Sequence, residues 1–240
     1  MQLDGVEGHV AFVIGGGRGI GRCVVERLRD FGAKTAVGDL ESSTIEGTFG
    51  VRMDITSEES VNAAFAEVER ELGSVELLVI TAGIVKKARL EDTTNEDWHF
   101  QLDVNLTGSF YCVRRALPAM RERRFGRVVI VGSSAGINGL GAAPPPVHAY
   151  AAAKAGVMTL TKSIAVEYAE YGVIVNGVAP TLIRTELTST VPDEFAQGVI
   201  PLGRFGKAQE VADVAAFLCS EHAGFMTGAI VDVNGGFLTH

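Results

Sequence analysis

The chain has 240 residues, with 29 acidic against 21 basic side chains for a net charge of −8, and it is 47% hydrophobic and 21% charged. This composition is too apolar for a disordered chain and too mixed for a fibre, and its acidic balance argues against nucleic acid or an anionic bilayer as partner. A chain of this length can bury an ample core as one domain without cross-links.

Cys23, Cys112 and Cys219 lie far apart with no C-x-x-C or Cys/His spacing, which reads as buried thiols in a reducing compartment. The five histidines share no ligand spacing, so no metal is expected. The opening residues lack the basic and apolar regions of a secretion signal, and no apolar run approaches the ~18 residues of a spanning helix. The expectation is a cytoplasmic protein, away from membranes.

In chain order, short runs rich in β-branched residues mark strands at His9–Ile14, Lys34–Gly38, Gly50–Met53, Glu76–Ile80, Arg127–Val131, Val173–Val178 and Ala229–Val233. Each is continuously apolar rather than alternating, as expected of a parallel strand covered on both faces. Helical windows fall between them at Gly21–Phe31, Ser57–Leu72, Asn95–Arg124, Ala149–Tyr171 and Ala208–Ser220. Ser57 and Thr94-Asn95 supply cap signals, followed by acidic first turns. Strands alternating with helices predict an α/β fold: one doubly wound domain over residues 1–240, with a seven-stranded parallel sheet and helices on both faces. The stretch Gly139–Pro146, with three consecutive prolines, reads as a stiff loop too short to join two domains.

The first strand runs into Gly15-Gly16-Gly17-Arg18-Gly19-Ile20-Gly21 and then a helix. Glycines there permit a tight turn and close approach of a diphosphate, while the helix N-terminus supplies unpaired N–H groups. Asp39 closes the second strand, where a carboxylate can accept both ribose hydroxyls of an adenosine and repel a 2′-phosphate. Arg18 pulls the other way, but no basic residue follows in Leu40-Glu41-Ser42, so NAD is favoured over NADP. Tyr150 and Lys154 stand four apart in a helical window, which puts their Cβ atoms ~5–6 Å apart on one face. A neighbouring ammonium favours the phenolate, making Tyr150 a credible general acid/base.

Together these residues resemble the short-chain dehydrogenase/reductase family over nearly the whole chain. The resemblance runs through Gly15-x-x-x-Gly19-Ile20-Gly21, Ala82-Gly83, Asn105, Gly132-Ser133-Ser134-Ala135-Gly136, Tyr150-x-x-x-Lys154, Val175 to Pro180, and the tail from Thr227 to Gly236. It implies a Rossmann-type enzyme moving hydride between nicotinamide and a carbonyl or alcohol carbon. By position, Tyr150 transfers the proton, Lys154 binds the nicotinamide ribose and lowers the Tyr150 pKa, Ser133 holds the substrate oxygen and Asn105 supports a relay water. Asp54-Ile55 resembles the adenine-contacting pair, Leu40 and Ala82-Gly83 line the cofactor, and Pro180, Ile183 and Thr185 resemble the nicotinamide side. The resemblance also implies a homo-oligomer, a tetramer or dimer.

This chain departs from the family pattern at Thr81, where Asn is usual, at Thr181, where Gly usually follows the proline, and in a longer gap from Ser133 to Tyr150. Gly132–Gly136 also satisfies G-x-S-x-G, the nucleophile elbow of serine hydrolases, with Asp193 or Asp213 and then His222 as partners in order. That rival leaves the glycine loop, Asp39 and Tyr150/Lys154 unused, and a nucleotide-sensing module on the same fold would need no proton-transfer pair. The reading is an NAD-dependent enzyme interconverting a secondary alcohol and a ketone. The alternative is an NADPH-dependent 3-oxoacyl thioester reductase.

Overall fold

The structure is a computed structural model that describes residues 3–41, 45–139 and 146–239. The glycine-rich entry β1 (Val10–Ile14), α1 (Gly19–Asp30), β2 (Lys34–Asp39), β3 (Phe49–Arg52), α2 (Glu58–Leu72) and β4 (Leu77–Ile80) form the first half. The second half runs through α3 (Asn95–Leu102), α4 (Gly108–Arg123), β5 (Gly126–Val131), α5 (Ala135–Asn138), α6 (His148–Tyr168) and β6 (Val173–Pro180). It ends with β7 (Ile183–Arg184), α7 (Asp193–Val199), β8 (Gly206–Lys207), α8 (Ala208–Cys219) and β9 (Ile230–Val233).

Seven strands pair in parallel in the order β3-β2-β1-β4-β5-β6-β9, while β7 and β8 form a separate two-stranded parallel pair that the sequence reading did not anticipate. The continuous apolar runs are explained by burial on both faces. Val10, Phe12 and Ile14 of β1 face a core with Phe65, Val68 and Met120. Ala11 and Val13 face the other, with Val24, Leu28 and Val211. Fully burying one such Val or Leu contributes roughly 1.5–3 kcal/mol, so alternation across the pleat fills two cores at once.

The predicted window Asn95–Arg124 is not one helix. A π-helical turn, Asp103–Thr107, separates α3 from α4 and carries Asn105 inward. Such wide turns disturb the regular helical ladder and often mark functional positions. Cap chemistry is as predicted at α2 and α3: the Ser57 hydroxyl accepts from the Ser60 amide and the Thr94 hydroxyl from the Asp97 amide. Of the predicted Gly139–Pro146 loop, residues 140–145 lie outside the described residues.

Register places the site. Ile14 pairs with Gly38 on one side and Ile80 on the other, and Ile80 pairs with Ile130. Strand ends therefore align, so the glycine loop, Asp39, Thr81 and Ser133 emerge along one edge. The strand order reverses beside β1, the crevice where open α/β sheets bind ligands. Among the described residues, no helix is long and apolar enough to cross a membrane.

Candidate active site

The loop after β1 is shaped by contacts that only glycine allows. A Cβ on Gly21 would lie 2.2 Å from the Gly15 carbonyl oxygen, and one on Gly15 would lie 2.6 Å from the Ala82 backbone. Gly15 also adopts φ 78°, a left-handed conformation that costs a side-chain-bearing residue. No side chain caps the N-terminus of α1. Its first N–H groups are thus available to an anion, and Gly19, Ile20 and Gly21 line a cleft of about 1120 Å³.

Thr81 repairs the departure noted in the sequence. Its hydroxyl lies 2.9 Å from the Ile14 carbonyl and 3.0 Å from that of Gly15, bonding β4 to the glycine loop. Asp39 does the same from β2: Oδ2 accepts from the Gly17 amide at 3.0 Å, and Oδ1 accepts from the Leu40 amide at 2.8 Å. Arg18, Leu40, Asp54, Ile55, Ala82 and Gly83 line the same cleft. The Asp54 carboxylate is engaged locally, accepting from the Thr56 amide and hydroxyl.

A second cavity of about 1110 Å³ shares Ile20, Gly83 and Thr185 with the first, so the two are halves of one cleft. Ser133, Tyr150, Lys154, Pro180 and Ile183 line this half. Ser133 is buried and hydrogen-bonded to Tyr150. Burial pushes the Tyr150 phenol above its ordinary value, opposed by that bond. Desolvation is the largest influence on the phenol, while the Lys154 Nζ stands 5.8 Å from the Tyr150 ring centroid and donates to the Val131 carbonyl. Burial also lowers Lys154 to about 8, because the charged ammonium loses its water.

The Asn105 side chain is committed to backbone. It accepts from the Ile84 amide and donates to the carbonyls of Ile84 and Gln101, fixing the segment after β4. These three bonds hold Ile84 against the π-helical turn. Thr181 carries a buried hydroxyl without a hydrogen-bond partner on the wall of the substrate half. One residue later Leu182 adopts φ 43°, a left-handed conformation that is costly for a side-chain-bearing residue.

The hydrolase elbow fails on geometry. Asp193 pairs with Arg184, Asp213 with Arg27 and His222 with Asp4, so none of the three acts on Ser134. The cleft, by contrast, fits a dinucleotide: glycines leave backbone room, α1 offers free donors, and the orphan Thr181 hydroxyl awaits a polar partner. Several lining residues went unremarked in the sequence. Glu186 and Leu187 follow Thr185 on the cofactor side, and Lys87 and Val191 flank the substrate side. No motif marks them; only the fold brings them to the cleft.

A family model described as Enoyl-(Acyl carrier protein) reductase matches residues 15–238. The chain belongs to the short-chain dehydrogenase/reductase family. It is 41% identical over 227 residues to 3-oxoacyl-[acyl-carrier-protein] reductase MabA of Mycobacterium avium, covering 93% of this chain and 88% of that protein. It is 38% identical over 247 residues to 3-oxoacyl-[acyl-carrier-protein] reductase FabG of Aquifex aeolicus, covering 96% and 98%. The crystal structure of gox2181 superimposes with a TM-score of 0.91 at 37% identity, covering 98% of this chain and 96% of that one. As a short-chain dehydrogenase/reductase, the protein is a nicotinamide-dependent oxidoreductase acting between CH–OH and C=O.

Proposed function

We propose that the protein interconverts a 3-oxoacyl thioester and its 3-hydroxy form. The observation that carries the chemistry is the hydrogen-bonded Ser133–Tyr150 pair at the inner end of the cleft. Two hydroxyls side by side can donate to one ketone oxygen, holding its carbon for attack and stabilising the charge that develops on oxygen. Tyr150 gives its phenolic proton to that oxygen, and Ser133 holds the oxygen in place. The Lys154 ammonium, its Nζ 5.8 Å from the Tyr150 ring centroid, stabilises the phenolate that this leaves. The bound nicotinamide supplies or accepts hydride.

The names of the similar proteins favour the thioester alternative over an unspecified secondary alcohol. The sequence reading joined that alternative to NADPH. Against that cofactor stands Asp39, whose carboxylate sits at the end of β2 and already orders Gly17. Its charge supports NAD(H), while among the described residues Arg18 on the same wall is the cation that favours a 2′-phosphate. We read the protein as NAD(H)-dependent. In the same reading residues 1–240 act as one catalytic domain, cytoplasmic and homo-oligomeric.

Following nicotinamide absorbance with acetoacetyl-CoA and crotonyl-CoA, each with NADH and NADPH, tests both halves. Acetoacetyl-CoA should be reduced and crotonyl-CoA left alone, because Ser133 and Tyr150 serve a carbonyl oxygen rather than an alkene carbon. Turnover of crotonyl-CoA alone would overturn the ketone reading.

A further inference from the structure

The two halves of the cleft differ in charge. Asp39, Asp54 and Glu186 line the cofactor half against a single cation, Arg18. Among the described residues, the substrate half contains Lys87 and Lys154 and no carboxylate. In a chain with eight excess negative charges, a catalytic pocket without an acid is informative.

Of the cations between β4 and α3, Lys86 pairs with Asp97 and Arg89 with Glu91. Among the described residues Lys87 has no carboxylate partner. Its backbone is nevertheless held on both sides. The Lys86 amide donates to Oε1 of the buried Gln101 at 2.8 Å, and the Ala88 amide donates to the Pro146 carbonyl at 3.2 Å. The chain thus fixes Lys87 at the wall of the pocket, adjoining the end of the loop that leads to Tyr150, and leaves its charge unspent. An exposed cation with an ion-pair partner gains little and is ordinary. Lys87 is exposed too, but among the described residues it has no carboxylate partner and it lines a pocket whose described lining holds no acid.

We propose that Lys87 receives an anionic group on the substrate, a phosphate ester or a carboxylate, so that the site selects charged 3-oxo compounds over neutral ones. The inference rests on the ketone chemistry proposed above and deepens it. Lys87 determines specificity; it takes no part in proton transfer. Steering by one charge is screened by salt, because the Debye length falls from about 10 Å at 0.1 M to about 3 Å at 1 M.

Three probes separate the sources of the anion: acetoacetyl-CoA carries phosphates, acetoacetate carries a carboxylate, and ethyl acetoacetate carries neither. Lys87→Gln should lower the kcat/KM preference for one of the charged probes over the ester by about tenfold, equivalent to about 1.4 kcal/mol. Lys87→Glu should lower it further. Whichever charged probe responds names the anion. The wild-type preference should also weaken with added salt, and that of Lys87→Gln should not. Equal losses on all three probes would overturn the proposal, as would a preference that neither substitution moves. Calorimetric binding of 3-hydroxybutyrate and of 3-hydroxybutyryl-CoA tests Lys87 without turnover. A loss of affinity on substitution supports the receptor even if no ketone is reduced, and unchanged affinity for both ligands overturns it. Failure of wild type to reduce any probe would instead count against the ketone reading.

Discussion

The Gly17 amide donates to Asp39 Oδ2 over 3.0 Å, tying the loop after β1 to the end of β2. One carboxylate thus orders the loop, and in the proposed reading it also presents charge to the adenosine ribose. A substitution that removes both confuses them. Asp39→Asn retains an acceptor for Gly17 while removing the charge, although its amide cannot accept from Leu40 as well. Repulsion between two close charges in a wet setting is worth roughly 1–4 kcal/mol. Asp39→Asn should therefore raise the NADPH:NADH ratio of kcat/KM by at least about tenfold. Asp39→Ala should shift it too and also lower Tm. A ratio that moves in neither variant would leave Asp39 as a loop anchor only, with Arg18 setting cofactor choice.

Tyr150→Phe keeps the ring and removes the proton, so turnover should fall at least ~10²-fold with cofactor affinity nearly unchanged. Ser133→Ala gives a separate reading. The bond from Ser133 favours the phenolate, so its loss should move the basic limb of the pH–rate profile upward. A limb that stays in place or moves downward would show that Ser133 does not set the Tyr150 proton affinity.

Burial lowers Lys154 from 10.5 to about 8, so between those values the unfolded chain binds more protons than the folded one. Stability from this group therefore rises as pH climbs from about 8 toward 10.5, and below about 8 its penalty is constant. Lys154→Met removes the titrating group, the bond to the Val131 carbonyl and the cation's contact with the Tyr150 ring. Wild type minus variant stability should increase across that window, measured by denaturant unfolding at each pH. A difference independent of pH would show that Lys154 titrates normally. Activity should fall in the same variant, since the ammonium beneath Tyr150 is gone.

Much of the sheet was legible because every strand of a doubly covered parallel sheet must be apolar on both sides, as Leu77 to Ile80 are. The glycine loop was equally legible, since Gly15 and Gly21 are required by contacts that exclude a Cβ. The break at Asp103–Thr107 was not, because a π-turn keeps helical composition and changes only which carbonyl each amide meets. Asn105 was found by its neighbours in the motif, but its three bonds to backbone depend on that turn. The loss of Asn at position 81 looked like a weakness until the Thr81 hydroxyl reached two carbonyls. Lys87 and Arg184 follow no motif, and their meaning arises from what the fold places beside them.

The Thr81 bonds permit a stability test. Thr81→Val is nearly isosteric and deletes both. The hydroxyl has one proton, shared between the two carbonyls, and one net hydrogen bond is worth about 0.5–1.5 kcal/mol, so the variant should lose about that much unfolding free energy and bind cofactor more weakly. Unchanged stability would mean that the glycine loop is held by its other contacts, such as the Gly17 amide to Asp39.

Arg184 organises the segment that closes over the substrate half. Its guanidinium donates to the carbonyls of Thr188 and Val191 at 2.8 Å each, pairs with Asp193, and lies 3.5 Å from the Phe205 ring centroid. Four partners from one side chain hold residues 185–193 as a unit, and Leu187, Thr188 and Val191 of that unit line the pocket. The planar fork makes this possible; a lysine can meet one or two of the partners but cannot stack and bridge together. Arg184→Lys should therefore raise KM for the ketone several-fold while kcat changes little, because Ser133, Tyr150 and Lys154 are untouched. Limited proteolysis should cut within 182–193 faster in the variant, as expected of a loosened loop. An unaltered KM together with unaltered proteolysis would show that the backbone bonds within the segment, such as Val191 amide to Thr188 carbonyl, suffice to shape it.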